Sequence, residues 1–146
     1  MKIREIGQID FTDVATLFAE LADEAISEDQ TPFLKTLHFQ GTQMFGAEMN
    51  GHIVSMATLH MLPNLGGRRT AYGLVENVVT LREFQGQGIG RAVIEKLLET
   101  AWAGGAYKVM LLTGIEAGAR GFYEKLGFSG DSKIGMQIRK IPIRSR

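Results

Sequence analysis

The sequence predicts an α/β fold of the α+β kind, with helices packed on a mixed β-sheet. Three observations carry that prediction. The hydrophobic period changes from helical to alternating near Gln43, and returns to helical after Gly88. Asn50-Gly51, the pair that a two-residue type I′ hairpin demands, joins two strand-like runs. The apolar run Leu74–Leu81 then feeds a glycine-rich turn and a strongly amphipathic helix.

Taken in order, Lys2–Ile6 alternates weakly and reads as a first strand. Asp10 is placed to cap a helix running through Ala22, with Phe11, Val14, Phe18 and Leu21 at helical spacing. Thr31-Pro32 opens a short helical piece, Phe33–Phe39, because proline suits a helix's first turn. Gln43–Met49 and His52–Met61 are the hairpin strands, and "LPNLGGRRTAYG" follows as a loop. Leu74–Leu81 has almost no polar face, which predicts a central strand covered on both sides. Ile89, Val93, Leu97 and then Ile94, Leu98, Ala101 and Trp102 form one broad apolar stripe on the next helix, which Gly104-Gly105 ends. Val109–Leu112 is a short strand and Ala117–Leu126 a last helix, with Gly127 placed for a left-handed cap and Phe128 folding back. Ile134, Met136 and Ile138 alternate with polar residues in a final strand that Pro142 stops. No linker or repeat divides the chain, so one domain spanning 1–146 is expected.

At 146 residues the chain is long enough for one sizeable core. Its 16 basic and 16 acidic residues balance, so nothing draws it to nucleic acid or an anionic membrane. The short basic tail, Arg139–Arg146, reads as a solvated end. Without cysteine there are no disulfides, thiolate nucleophiles or cysteine metal sites, and His38, His52 and His60 show no metal spacing. No apolar run approaches the roughly 20 residues of a spanning helix, and no signal-peptide core opens the chain. A soluble, cytoplasmic protein is expected.

The turn "FQGQGIGR", Phe84–Arg91, has glycine at every second position and no Ser, Thr, Asp or Asn to cap the helix it starts. A helix start carries four unpaired N–H groups and about half a unit of positive charge. Each glycine costs up to about 1 kcal/mol relative to alanine inside a helix. What glycine permits is close approach of a ligand, so the turn suggests a phosphate or pyrophosphate cradle. It is not a P-loop, since Arg91-Ala92 follows Gly90, and G-x-G-x-G is not the dinucleotide fingerprint G-x-G-x-x-G. A plain turn for close packing of helix on strand is the other reading.

Two segments together resemble the signatures of the GCN5-related N-acetyltransferase (GNAT) family. Gln85-Gly86-Gln87-Gly88-Ile89-Gly90 is similar to the Q/R-x-x-G-x-G/A motif, in the expected context of strand, turn and helix. "ARGFYEKLGF", Ala119–Phe128, looks like the A-x-x-F-Y-x-x-x-G-F segment, with one helix and one strand between the two. The resemblance implies the GNAT acyl-CoA N-acyltransferase fold, a mostly antiparallel mixed sheet splayed between strands four and five. It implies acetyl-CoA as co-substrate and no metal. The backbone amides of Gln87, Gly88, Gly90 and Arg91 would hold the pyrophosphate, with Gly86 and Ile89 supplying the turn. Val79, Thr80 and Leu81 would pair with the pantetheine arm as an added strand, the Val79 N–H facing the thioester oxygen.

The same resemblance assigns the chemistry. Tyr123 matches the tyrosine that returns a proton to the departing thiolate, and Glu76 is the candidate base, acting through a water. A carboxylate on an otherwise apolar strand needs such a reason, although a place at the strand's open end, or pairing with Arg68 or Arg69, would also supply one. Asn77 is expected to point to the opposite face. An asparagine usual in the family seven residues before the tyrosine is Glu116 here, so another group must make its contact.

The pattern is nearest the branch of amino-sugar phosphate and aminoalkylphosphonate acetyltransferases. That implies a small-molecule primary amine, attacking directly through a tetrahedral intermediate, with Arg68 and Arg69 available to an anionic group. Leu112-Thr113-Gly114 stands where amino-sugar enzymes carry acidic residues, which argues against glucosamine phosphate itself. The two N-terminal helices and the 61–73 loop are expected to build the acceptor pocket. Asp23, Glu24, Glu28 and Asp29 cluster after the first helix, either attracting a cationic amine or forming a solvated helix end. Transfer to a protein lysine or N-terminus, or acyl-CoA sensing without turnover, are the alternatives. A homodimer through the strand near Ile134 is the expected assembly.

Overall fold

In the computed structural model, β1 (Lys2–Glu5), β2 (Thr42–Met49), β3 (His52–Gly66), β4 (Arg69–Thr80) and β5 (Ala106–Met110) lie in that order across one sheet. Neighbours are antiparallel except β4 and β5, which are parallel, so the sheet is mixed as expected. The structure describes residues 1–142, in two compact units that divide at Leu111/Leu112. Residues 143–146, the end of the basic tail, lie outside the described residues.

The first unit also holds α1 (Phe11–Ala22), α2 (Thr31–Leu37) and α3 (Ile89–Ala103). α1 and α2 enclose a cluster in which Val14, Leu17 and Phe33 meet Ile6, Met44, Ile53 and Met56. α3 packs across β2 and β3 and buries Ile89, Val93, Ile94, Leu97 and Ala101; of the stripe read from the sequence Leu98 is only half-buried and Trp102, at its edge, is 50% exposed. Each large aliphatic side chain so buried contributes about 1.5–3 kcal/mol. Asp10 stands at the start of α1 but does not cap that helix with its side chain. Its carboxylate instead accepts two bonds from the Arg4 guanidinium, at 2.8 and 2.9 Å, and one from the Gly7 N–H at 2.8 Å.

The β2–β3 turn is the one its sequence demands, with Asn50 and Gly51 both at positive φ, 51° and 82°. The stretch expected as a loop, 62–73, is a second hairpin whose turn is carried by Gly66 (φ 137°) and Gly67 (φ 67°). Pro63 does not stop β3; it stands opposite Ala71, where the register becomes irregular. β4 is less covered than its composition predicts, with only Gly73 and Val75 buried. The cause is its second neighbour: β5 pairs with β4 only from Ala71 to Leu74.

The second unit holds a 3-10 turn, Ile115–Ala117, and α4, Arg120–Lys125. The helix expected from Ala117 starts later because Gly118 turns left-handed, at φ 67°. It ends as expected: Gly127 takes φ 95°, its N–H bonds to Glu124 O, and the Phe128 N–H reaches Tyr123 O at 3.1 Å. The expected final strand does not form. Among the described residues 133–139 pair with no strand, and Ile134, Met136 and Ile138 are 89%, 88% and 100% exposed.

Candidate active site

β4 leads directly into the glycine turn. Leu81 N–H bonds to Val54 O at 3.0 Å, a 3-10 turn follows over Arg82–Phe84, and α3 begins at Ile89. Gly86 and Gly88 adopt φ of 74° and 78°, a region that costs other residues about 1–2 kcal/mol. A Cβ built on either would meet no atom within 4 Å. Packing therefore does not explain these glycines: their conformation does, and the space beside them is open. No side chain caps α3, and its first bond runs from Ala92 N–H to Gly88 O. The N–H groups of Ile89, Gly90 and Arg91 are left without helical acceptors, at the positive end of a 15-residue helix. Two glutamines brace the turn, Gln85 Nε2 donating to Thr80 O at 2.9 Å and Gln87 Nε2 to Glu83 O at 3.1 Å. The Arg91 side chain is engaged by Glu95 at 2.7 Å on the helix surface.

Past Leu74 the β5 side of β4 has no strand partner among the described residues. The strand is also bulged there. Thr58 pairs with Glu76 and Met56 with Val79, so Asn77 and Val78 together oppose Ala57. Asn77 carries the bulge at φ 54°, a conformation asparagine tolerates better than most residues. The bulge sets which backbone groups face outward. Because Leu81 bonds to Val54, ladder alternation makes Val79–Met56 a hydrogen-bonded pair. The Val79 N–H is thus directed at β3, not outward as expected; those of Val78 and Thr80 face the open edge.

Glu76 is exposed, and its carboxylate makes no hydrogen bond or ion pair among the described residues. It does not pair with Arg68 or Arg69; the Arg69 guanidinium lies over the Tyr107 ring, 5.8 Å from its centre. Asn77 lines a cavity of about 270 Å³ between α1, α2 and the sheet. Its Nδ2 donates to Thr58 Oγ1 at 3.4 Å. The 61–73 segment contributes nothing to this cavity, which is walled instead by α1, the 24–29 connection, α2, Met44 and Met56. The bulge that brings Asn77 here had no signal in the sequence beyond the residue's own tolerance of positive φ. A second cavity, about 290 Å³, adjoins the β2–β3 turn. There Asp13 accepts the Ile53 N–H at 2.9 Å and contacts His52 at 3.2 Å, tying hairpin to helix.

In the second unit Tyr123 is half-buried on α4, edge-on to the rings of Phe122 at 5.0 Å and Phe128 at 5.8 Å. Burial pushes its phenol above the usual value of 10. Glu116 is exposed on the 3-10 turn. Among the described residues no cluster of three or more His, Asp or Glu is grouped to hold a metal, and no helix is long and apolar enough to cross a membrane.

Residues 11–128 match the Acetyltransferase (GNAT) family. A curated relative from Trypanosoma brucei brucei, named glucosamine 6-phosphate N-acetyltransferase, is 39% identical over 89 residues. That match covers 60% of this chain and 58% of the relative. A solved Agrobacterium tumefaciens protein, provisionally assigned as an acetyltransferase, superposes with a TM-score of 0.88 at 36% identity, covering 96% of this chain and all of that one. An acetyltransferase structure from Trypanosoma brucei gives a TM-score of 0.79 at 27% identity, covering 94% and 98%.

Proposed function

The chain belongs to the GNAT acetyltransferase family, and from that premise we propose that it moves the acetyl group of acetyl-CoA to the primary amine of a small molecule. The observation that carries the proposal is the uncapped, open glycine cradle at the end of a strand with an unpaired edge. Helix N–H groups without acceptors suit a pyrophosphate, and a free strand edge suits an extended amide-bearing arm. We assign 1–146 to one domain, since the family match runs from α1 through α4.

Gln87, Gly88, Ile89, Gly90 and Arg91 hold the pyrophosphate through backbone N–H groups, with Gly86 shaping the turn. Val79, Thr80 and Leu81 form the strand end along which the arm lies, Val78 and Thr80 offering its outward donors. Acetyl-CoA, when bound, supplies the acetyl group as a thioester. Tyr123 supplies the proton that the thiolate needs; a raised pKa keeps that proton on the phenol at neutral pH. Glu76 takes the amine's proton through water, a role its exposure supports. The Trypanosoma relative's name supports a small amine as acceptor. The exposed Ile134, Met136 and Ile138 support a homodimer, and the lack of a membrane-crossing helix among the described residues is compatible with a cytoplasmic enzyme.

Acetyl-CoA at about 100 times its Kd stabilises a protein by about 2.7 kcal/mol, which raises Tm by roughly 6–10 °C in a chain of this size. An unchanged Tm would remove the cofactor reading. Thiol release is then measured over a panel of amines and peptides. A Tm shift without release on any of them leaves an acyl-CoA sensor, and release with both Tyr123→Phe and Glu76→Gln at full rate removes the two catalytic roles.

A further inference from the structure

The cavity beside Asn77 narrows the acetyl-transfer reading, on which the following inference rests. Its walls are aromatic and thioether: Phe11, Phe18, Phe33, Met44 and Met56. The Phe11 and Phe33 rings stand 5.6 Å apart at 47°, and Met44 and Met56 belong to the buried core. Such walls match an apolar, ring-bearing guest, and methionine adapts to its outline. An apolar cavity of about 150 Å³ accommodates benzene. At about 270 Å³ this one has room for an aromatic ring and a short alkyl chain.

Charge selects in the same direction. Among the described residues, the ionisable ones that line the cavity are Glu24 and Asp29, both acidic. Asp29 accepts the Thr31 N–H at 2.9 Å, a bond that favours its charged form. A phosphate entering here would shed water and face carboxylates. An ammonium would be drawn in. β4 contributes Asn77, whose amide nitrogen is turned to Thr58, leaving Oδ1 to accept an amine N–H beside the open strand edge.

We infer that the acceptor is a primary amine on an apolar body the size of an aromatic ring and short chain, an arylalkylamine and not an amino-sugar phosphate. Transfer to it forms the amide C–N bond and breaks the thioester C–S bond. The amine loses one proton and the thiol gains one, so no further reactant is needed.

Calorimetric titrations with 2-phenylethylamine, glucosamine 6-phosphate and a hexapeptide with N-terminal phenylalanine test this, each with and without free coenzyme A. Phenylethylamine is expected to bind at least tenfold more tightly than either other probe in one of the two conditions. Phe18→Ser, at a side chain 46% exposed and so tolerant of change, should weaken phenylethylamine at least tenfold. The same variant should retain the Tm shift by acetyl-CoA, which separates failure here from failure of the cofactor reading. Tighter binding of the sugar phosphate or the peptide, no binding by phenylethylamine in either condition, or indifference to Phe18→Ser would each overturn the inference.

Discussion

Gly88→Ala separates the conformational role of the cradle from its binding role. Gly88 lies at φ 78°, and a Cβ there would touch nothing within 4 Å. The folded protein should therefore lose only the left-handed strain, about 1–2 kcal/mol, a fall in Tm of roughly 3–8 °C. The same Cβ intrudes on the space through which a phosphate must approach the N–H groups of Ile89 and Gly90. Losing one hydrogen bond to a charged group costs about 1.5–3 kcal/mol, or roughly a 10- to 150-fold rise in the Kd for acetyl-CoA. Gly105, at the other end of the same helix, supplies the control: its φ is 84°, and its Cβ would also meet nothing within 4 Å. Gly105→Ala should cost similar stability and leave acetyl-CoA binding within about twofold, well inside the 1.4 kcal/mol that a tenfold change represents. Urea melts give the stability of both variants, and titration calorimetry gives their affinities. Equal affinities for the two variants would refute the argument that the open space beside Gly88 is where the ligand sits.

Two further outcomes follow from the titrating groups. Because burial raises the Tyr123 pKa above 10, its phenol keeps its proton across the working range, and any alkaline fall in kcat below pH 10 belongs to another group. Tyr123→Phe should then lower kcat by about 100-fold or more while leaving the position of that alkaline limb unchanged. Asp10 has the opposite sign: bonds from Arg4 hold its carboxyl below the usual range. Its stabilisation is complete above the unfolded value near about 3.9 and is lost as pH falls through the lower folded value. Asp10→Asn should cost about 1–3 kcal/mol in neutral urea melts and flatten the stability loss below about pH 4. An unaltered acid limb would show that Asp10 does not drive it.

What could be read from the sequence was whatever local backbone geometry dictates. Asn50-Gly51, Gly127 and the stripe of α3 each specify their conformation within a few residues, and each formed as expected. The glycines of the cradle belong to this class, since positive φ at Gly86 and Gly88 depends on no distant partner. What could not be read depended on a partner that the local pattern does not name. The bulge at Asn77 exists only relative to β3, and it alone decides that Val79 faces inward. Asp10 has the sequence of a cap, but Arg4 offers its carboxylate two bonds and wins it. The 62–73 hairpin was hidden because Pro63 and two glycines are breakers anywhere except at a turn and an irregular register. Ile134–Ile138 is the converse case, a strand pattern that joins no ladder among the described residues.

The turn that leads into β4 and the bulge within it also decide where this chain tolerates a change in length. At the Gly66-Gly67 tip the backbone is exposed and turns without packing against anything; a Cβ on either glycine meets no atom within 4 Å. Closing a longer loop there adds only about 0.6 kcal/mol per doubling of its length, so a peptide tag or fluorophore sequence can be carried at that point. One residue inserted a few positions later, between Val75 and Val79, would shift every side chain beyond it to the other face of the sheet. The same strand therefore offers an attachment point for engineering at one end and a fixed frame at the other, and a library of length variants should respect that division.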